Sequence, residues 1–263
     1  MRFEILGPLR AFDGDAEIDL GGPRQRRVLA VLLAAAPDTV SVDRLIDEVW
    51  GESPPGTASH VVRTYVSNLR KTLGDRVVSD GRRYRITLNG DSVDALEFSG
   101  ALEEARMLFP ADPVRVVGLL RDSSLLWRGR PFDHLSDDAP LLALRAIELD
   151  EERTQSTELL MEAELALGNH ERVLPELESL AVEYPLRERL HRAFMLALYR
   201  SDRQAEALRA GWSLRNALVE ELGIEPSAST RKLEDRILVQ DSRLDVRPPS
   251  NLPAFVSSFV GRR

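Results

Sequence analysis

The sequence predicts a mainly α fold with a small β part. It is divided into a mixed N-terminal domain over residues 1–92 and an all-helical domain over 93–240, with a linker over 241–263. Three observations carry that expectation. Short runs that alternate as strands do are confined to the first 90 residues. From Val93 onward, apolar residues recur at helical spacing between regularly placed breaks. Finally, 263 residues is long for one domain and comfortable for two.

Phe3, Ile5 and Leu9 to Phe12 alternate loosely with polar residues, and Asp13-Gly14-Asp15 turns the chain before Glu17 to Leu20, which predicts a small hairpin. Pro23 suits the first position of a helix, and Val28, Leu29, Val31, Leu32 and Leu33 make that helix substantially buried up to Pro37. Ser41 is an N-cap for a short second helix ending at Trp50-Gly51. Pro54 to Thr57 then turns the chain into a third helix, capped by Thr57 and running to Leu73. Ala58, Val62, Val66, Leu69 and Leu73 share one face of it, and His60, Arg63, Thr64, Ser67, Arg70 and Lys71 the other. Strands at 76–78 and 84–88 flank a turn at Asp80-Gly81, with Arg82 and Arg83 at the tip. Helix, short helix, turn, amphipathic helix and basic-tipped hairpin together make a winged helix-turn-helix.

Net charge is −8, which taken alone argues against a nucleic-acid partner. Its distribution reverses that. Residues 1–90 hold 13 basic and 12 acidic residues, and 91–263 hold 22 and 31. Residues 53–85 hold seven basic and two acidic. A basic segment on an acidic chain is the electrostatic footprint of a DNA-binding module. An α-helix fits the major groove, where Arg reads guanine and Ser or Thr reads other edges, while basic hairpin residues reach phosphates or the minor groove. Arg63, Thr64, Ser67 and Arg70 are the candidates for base edges; His60, Lys71, Arg82 and Arg83 are the candidates for phosphates. Arg24, Arg26 and Arg27 are weaker phosphate candidates.

In the second domain, breaks at 110–113, 129–131, 140, 168–169, 185, 201–202 and 223–226 leave room for six or seven helices. ALGNHERVL (166–174) superposes on YRSDRQAEAL (199–208) at an offset of 34, placing Gly168 on Asp202 and Leu174 on Leu208. That is the tetratricopeptide period. One clean pair leaves a helical solenoid and a plain bundle both open.

Residues 3–90 resemble the OmpR-type winged helix. Within them, LIDEVWGESPPGTASHVVRTYVSNLRKTLGDRVVSDGRRYRI is similar to the version in the Streptomyces antibiotic regulatory protein family. LLWRGRPF (125–132), residues 166–208 and ELGIEPSASTRKLEDRIL (221–238) resemble that family's bacterial transcriptional activation domain. The resemblance implies an all-α tetratricopeptide-like second domain and a transcriptional activator. It further implies binding to direct repeats near a promoter as a side-by-side pair of protomers, with recruitment of RNA polymerase holoenzyme. Gly211-Trp212 departs from the family's usual helix there, a matter of local packing. OmpR-type modules ordinarily follow a phosphorylatable receiver domain; here the winged helix comes first, so phosphorylation of that kind is not expected.

The remaining motifs exclude more than they add. With no cysteine, neither disulfides nor thiolate metal sites are available. His60, His134, His170 and His191 lack a second ligand at helical spacing, so no metal is expected. The chain has no phosphate loop, nucleophile elbow or dinucleotide fingerprint, so neither enzyme activity nor a cofactor is expected. The N-terminus is no signal peptide and the longest apolar run is nine residues, which implies a cytoplasmic protein off the membrane. NLPAFVSSFVGRR (251–263) resembles the segment entering the nucleotide-binding domain of larger family members. The alternatives to a DNA-binding activator are a helical-repeat scaffold and the regulatory front end of a larger NTPase regulator.

Overall fold

The computed structural model describes residues 1–245. The part of the expected linker from 246 to 263 lies outside the described residues. Two compact units divide the chain: 1–108 with 118–157, and 109–117 with the residues from 158 onward.

The first unit begins with strands β1 (Arg2–Glu4), β2 (Arg10–Asp13) and β3 (Ala16–Glu17), followed by α1 (Pro23–Ala34). Next come β4 (Val40–Ser41), α2 (Val42–Trp50), α3 (Ala58–Leu73) and the hairpin strands β5 (Val77–Asp80) and β6 (Arg83–Ile86). The expected N-terminal hairpin, three helices and hairpin are all present. Two short strands were not foreseen. β4 pairs antiparallel with β6, giving a sheet ordered β4-β6-β5, and β7 (Ser92–Val93) runs parallel to β1 in a sheet ordered β3-β2-β1-β7. A two-residue strand is too short to show a period, so neither left a trace in the sequence pattern.

The core of this unit runs on past residue 92. Phe3, Leu6, Leu29, Leu32, Val66 and Leu69 belong to the same buried cluster as Phe98, Phe132, Leu142 and Leu149. The later residues come from α4 (Asp94–Leu108), from the loop after α5 (Pro113–Ser124) and from the start of α6 (Pro140–Ala166). One buried carboxylate organises the junction. Asp94, 3% exposed, accepts the backbone N–H of Ile5 at 2.8 Å, of Leu6 at 3.0 Å and of Ala95 at 2.8 Å. Its other oxygen is also bound by the Arg128 guanidinium at 2.7 Å, and Arg128 lies 3.3 Å from Glu4 as well. The Arg128 and Phe132 amides donate to the Leu6 and Ile5 carbonyls at 2.7 and 2.8 Å. LLWRGRPF is therefore a clasp on the first strand. Gly7 has φ +147°, and a Cβ there would meet the Arg128 Cβ at 3.0 Å, so only glycine lets the clasp close.

Glu48 on α2 makes a second tie. Its carboxylate is fully buried, accepts the Leu141 N–H at 3.1 Å to both oxygens, and pairs with Arg44 at 2.7 Å. It thus serves an otherwise unpaired amide in the first turn of α6. Burial pushes its pKa up, against the lowering effects of the Leu141 bond and Arg44.

The second unit contains α7 (His170–Glu183), α8 (Glu188–Arg200), α9 (Gln204–Leu222) and α10 (Ala228–Leu238), joined by the last turns of α6. Seven α-helices follow Val93 among the described residues, at the upper end of the expected number. The 34-residue offset is visible in the turns themselves. Gly168 and Asp202 both take left-handed φ, +81° and +60°. The amides of Gly168 and Asp202 each bond to a carbonyl three residues back, at 3.1 Å. Those of Asn169 and Arg203 each bond to one five residues back, at 3.0 Å. The departure at Gly211-Trp212 also has a packing reason. A Cβ on Gly211 would lie 2.5 Å from Glu234 Oε1 and 3.1 Å from Met195 Cε, so glycine lets α9 approach α8 and α10. Trp212 points outward, 65% exposed. Part of the expected linker is structured: Ser242–Leu244 forms a 3₁₀ turn that buries Leu244.

Two outcomes test this account. Asp94→Ala strands the amides of Ile5, Leu6 and Ala95 and an arginine, and should cost about 3–5 kcal/mol. Urea unfolding in a Trp212→Phe background measures it, because Trp50 and Trp127 then report on the first unit alone. For Glu48, a carboxyl whose pKa is raised by folding contributes most below its unfolded value, about 4.3, and loses that contribution as pH climbs through the folded value. Glu48→Gln cannot titrate there. Its stability relative to the parent should therefore rise between about pH 4 and about pH 7.

Candidate nucleic-acid interface

Helix α3 buries Ala58, Val62, Val66, Leu69 and Leu73 and turns His60, Arg63, Thr64, Ser67, Arg70 and Lys71 outward, as the periodicity requires. Its start differs from expectation. Thr57 makes no side-chain cap; its φ of −95° and ψ of 6° depart from the extended geometry that aims a cap hydroxyl inward. The first amides are served instead by carbonyls: Ala58 bonds to Pro55 at 2.8 Å, and His60 to Thr57 at 2.9 Å. Its end is set by Gly74 at φ +66°.

The helix is held in place by its flanks. Tyr65 stacks on Trp50 of α2 with centroids 6.4 Å apart, and Arg24 of α1 lies over the Trp50 ring at 5.8 Å. Asn68 donates to Gln25 at 3.3 Å, and Gln25 in turn donates to the Leu20 carbonyl at 3.0 Å. Arg26 donates to the Leu9 carbonyl and Arg27 to the Asp137 carbonyl, so both of these weaker phosphate candidates serve the fold.

The eight predicted residues are all exposed, but they fall into two kinds. His60, Arg63, Ser67 and Lys71 carry side chains with no hydrogen bond or ion pair among the described residues. The others are engaged. Thr64 Oγ1 donates to the His60 carbonyl at 3.2 Å. Arg70 Nε donates to the Val77 carbonyl at 2.8 Å, with its guanidinium 6.0 Å from the Tyr84 ring centroid. Arg82 pairs with Asp43 at 3.2 Å, and Arg83 donates to Thr39 Oγ1 at 2.6 Å and to the Thr39 carbonyl at 3.0 Å. A guanidinium has five N–H donors, so each of these arginines is oriented while keeping donors free.

Sequence reasoning missed Arg85. In β6, Tyr84 and Ile86 are buried while Arg83 and Arg85 face outward. Strict alternation was the signal that would have placed Arg85 beside Arg83 on the outer face. Arg76, by contrast, is subtracted from the basic segment. It forks onto Asp91 at 2.5 and 3.0 Å, and that bond holds the Asp91 carboxyl below the usual carboxylate range. The Arg76 carbonyl accepts from the Thr87 amide at 2.8 Å, which fixes the base of the hairpin. No helix among the described residues is long and apolar enough to cross a membrane.

With this geometry in view, the comparisons are specific. Residues 15–90 match the family described as transcriptional regulatory protein, C terminal, and residues 93–238 the bacterial transcriptional activator domain. The regulatory protein AfsR of Streptomyces griseus is 37% identical over the whole chain, which spans 28% of AfsR's length. The regulatory protein DnrI of Streptomyces peucetius is 32% identical, with 98% of each chain covered. Among solved structures, EmbR of Mycobacterium tuberculosis, in complex with a low-affinity phosphopeptide, is similar at a TM-score of 0.84 and 33% identity, covering 91% of this chain and 65% of that one. An OmpR-type winged helix joined to a bacterial transcriptional activator domain, matched end to end by DnrI, places this chain in the Streptomyces antibiotic regulatory protein family.

Proposed function

We propose that this chain is a sequence-specific DNA-binding transcriptional activator that reads double-stranded DNA through α3. The observation that carries this reading is the outer face of α3. Arg63, Ser67 and Lys71 stand there without internal partners, on a helix whose other face is locked into the core. In a chain of net charge −8, such a face is kept for an external partner, and its composition suits the major groove.

In this reading Arg63, Thr64, Ser67 and Arg70 approach base edges, and His60, Lys71, Arg82 and Arg83 hold phosphates. Arg85 joins the phosphate set on its place in the wing. Residues 1–92 act as the DNA-reading module, 93–240 as the protein-contacting half and 241–263 as a linker. The acidic surplus beyond residue 90 supports contact with protein rather than DNA. Two protomers bound head to tail on direct repeats, recruiting RNA polymerase holoenzyme, complete the proposal. The relatives' descriptions as regulatory proteins agree with it.

Selection of sites from a random DNA pool, followed by binding titrations, tests the assignment. Arg63→Ala should cost about 1–3 kcal/mol on the selected site and relax base preference at one position. Lys71→Ala should weaken selected and random DNA alike and lower the salt slope by about 1. Equal losses on selected and random DNA for both Arg63→Ala and Ser67→Ala would overturn the readout assignment.

A further inference from the structure

The second unit carries a groove that DNA recognition does not use. A cleft of about 420 Å³ opens between α6, α8 and α10. Its floor is apolar, with Phe109, Leu165, Leu196, Leu233 and Leu244 among the lining side chains. Around that floor stand four arginines, Arg189, Arg192, Arg200 and Arg236, with Glu162 as the acidic residue among the lining set. On the more acidic half of the chain, this concentration of positive charge runs against the local composition.

The four arginines are not equally available. Arg189 is neutralised by Glu162 at 2.8 Å and Glu158 at 3.2 Å, and Arg236 lies 3.7 Å from Asp241. Arg192 and Arg200 form no ion pair among the described residues. Arg192 donates to Ser229 Oγ at 3.2 Å, and the nearby Glu188 is already taken up by the Ser227 amide and by the Ser227 and Thr230 hydroxyls. Arg200 donates to the Leu244 and Leu165 carbonyls at 2.7 and 2.6 Å. Two guanidinium groups thus border an apolar trough without a direct ion pair among the described residues, Arg192 near Glu188 and Arg200 near Asp245, and Arg200 is held by the Leu165 and Leu244 carbonyls.

We propose that this groove binds a segment of a partner protein that is both acidic and apolar. Its carboxylates would pair with Arg192 and Arg200, and its leucine- or phenylalanine-type side chains would cover Leu196 and Leu233. Bidentate arginine–carboxylate pairing beside a desolvated floor supplies both orientation and affinity. Charge complementarity argues for an acidic occupant, which the sequence of residues 246–263, with three arginines and no Asp or Glu, does not supply. The proposal rests on the second unit alone and is independent of how α3 reads DNA.

Panning a random 12-residue peptide library against the full chain tests this, with Arg192→Glu/Arg236→Glu as the counter-target. Both side chains are half-exposed and neither supports the core, and circular dichroism checks that the variant folds. Enrichment of peptides combining Asp or Glu with Leu or Phe, bound at least tenfold more weakly by the variant, is the expected result. Binding of those peptides should persist in Lys71→Ala, which separates this outcome from failure of the DNA reading. Absence of acidic–apolar enrichment would overturn the proposal, as would equal binding to the variant. So would sedimentation showing a dimer that Arg192→Glu dissociates, since the groove would then hold a second copy.

Discussion

Asp94 takes on a task that the first strand cannot complete alone. β1 is three residues long, and the amides of Ile5 and Leu6 that follow it are buried without a strand partner. Left so, each would carry the cost of an unsatisfied buried donor. The carboxylate at the start of α4 accepts both, and Arg128 balances its charge. That arrangement brings the amides of Arg128 and Phe132 against the same strand, and Phe132 fills the core behind it. Residues of α1, α3 and the N-terminal sheet belong to the same buried cluster.

The proposed DNA-reading surface shows a related economy. Three arginines of the module are aimed by neighbours: Thr39 orients Arg83 and Asp43 orients Arg82 in the wing, and the Val77 carbonyl orients Arg70 on α3. Pre-orientation limits the side-chain entropy lost on binding. Arg63, Ser67 and Lys71, by contrast, carry side chains without internal partners among the described residues. Pre-oriented and unpartnered side chains thus share one module.

Much of this was legible in the sequence. Proline and glycine mark the ends of α1 to α3 and most breaks in the second half, because each constrains the backbone whatever surrounds it, while Ser201-Asp202 marks another. The outer face of α3 followed from its apolar spacing, and the repeat at 34 residues was visible in two short segments. What the sequence concealed depends on contacts between distant residues. β4 and β7 are too short for a period, and Arg26 and Arg27 look like surface cations until their carbonyl partners are seen. LLWRGRPF could be matched to a family, but its role as a clasp needed the positions of Ile5 and Leu6. Arg85 was legible in the alternation of β6, where Tyr84 and Ile86 are buried and Arg83 and Arg85 face outward.

The clasp also bears on how the chain is made. Synthesis is vectorial, and domains generally settle as they emerge. Here the first strand is completed by side chains and amides at 94, 128 and 132, and its core is closed by Leu142 and Leu149. The helix proposed to read DNA is finished as a sequence by residue 73, yet its supporting core waits for some 75 residues more. A nascent chain that has exposed only its winged helix has not yet received the parts that hold that winged helix rigid. The winged helix and the first portion of the activator domain are therefore closed by one core.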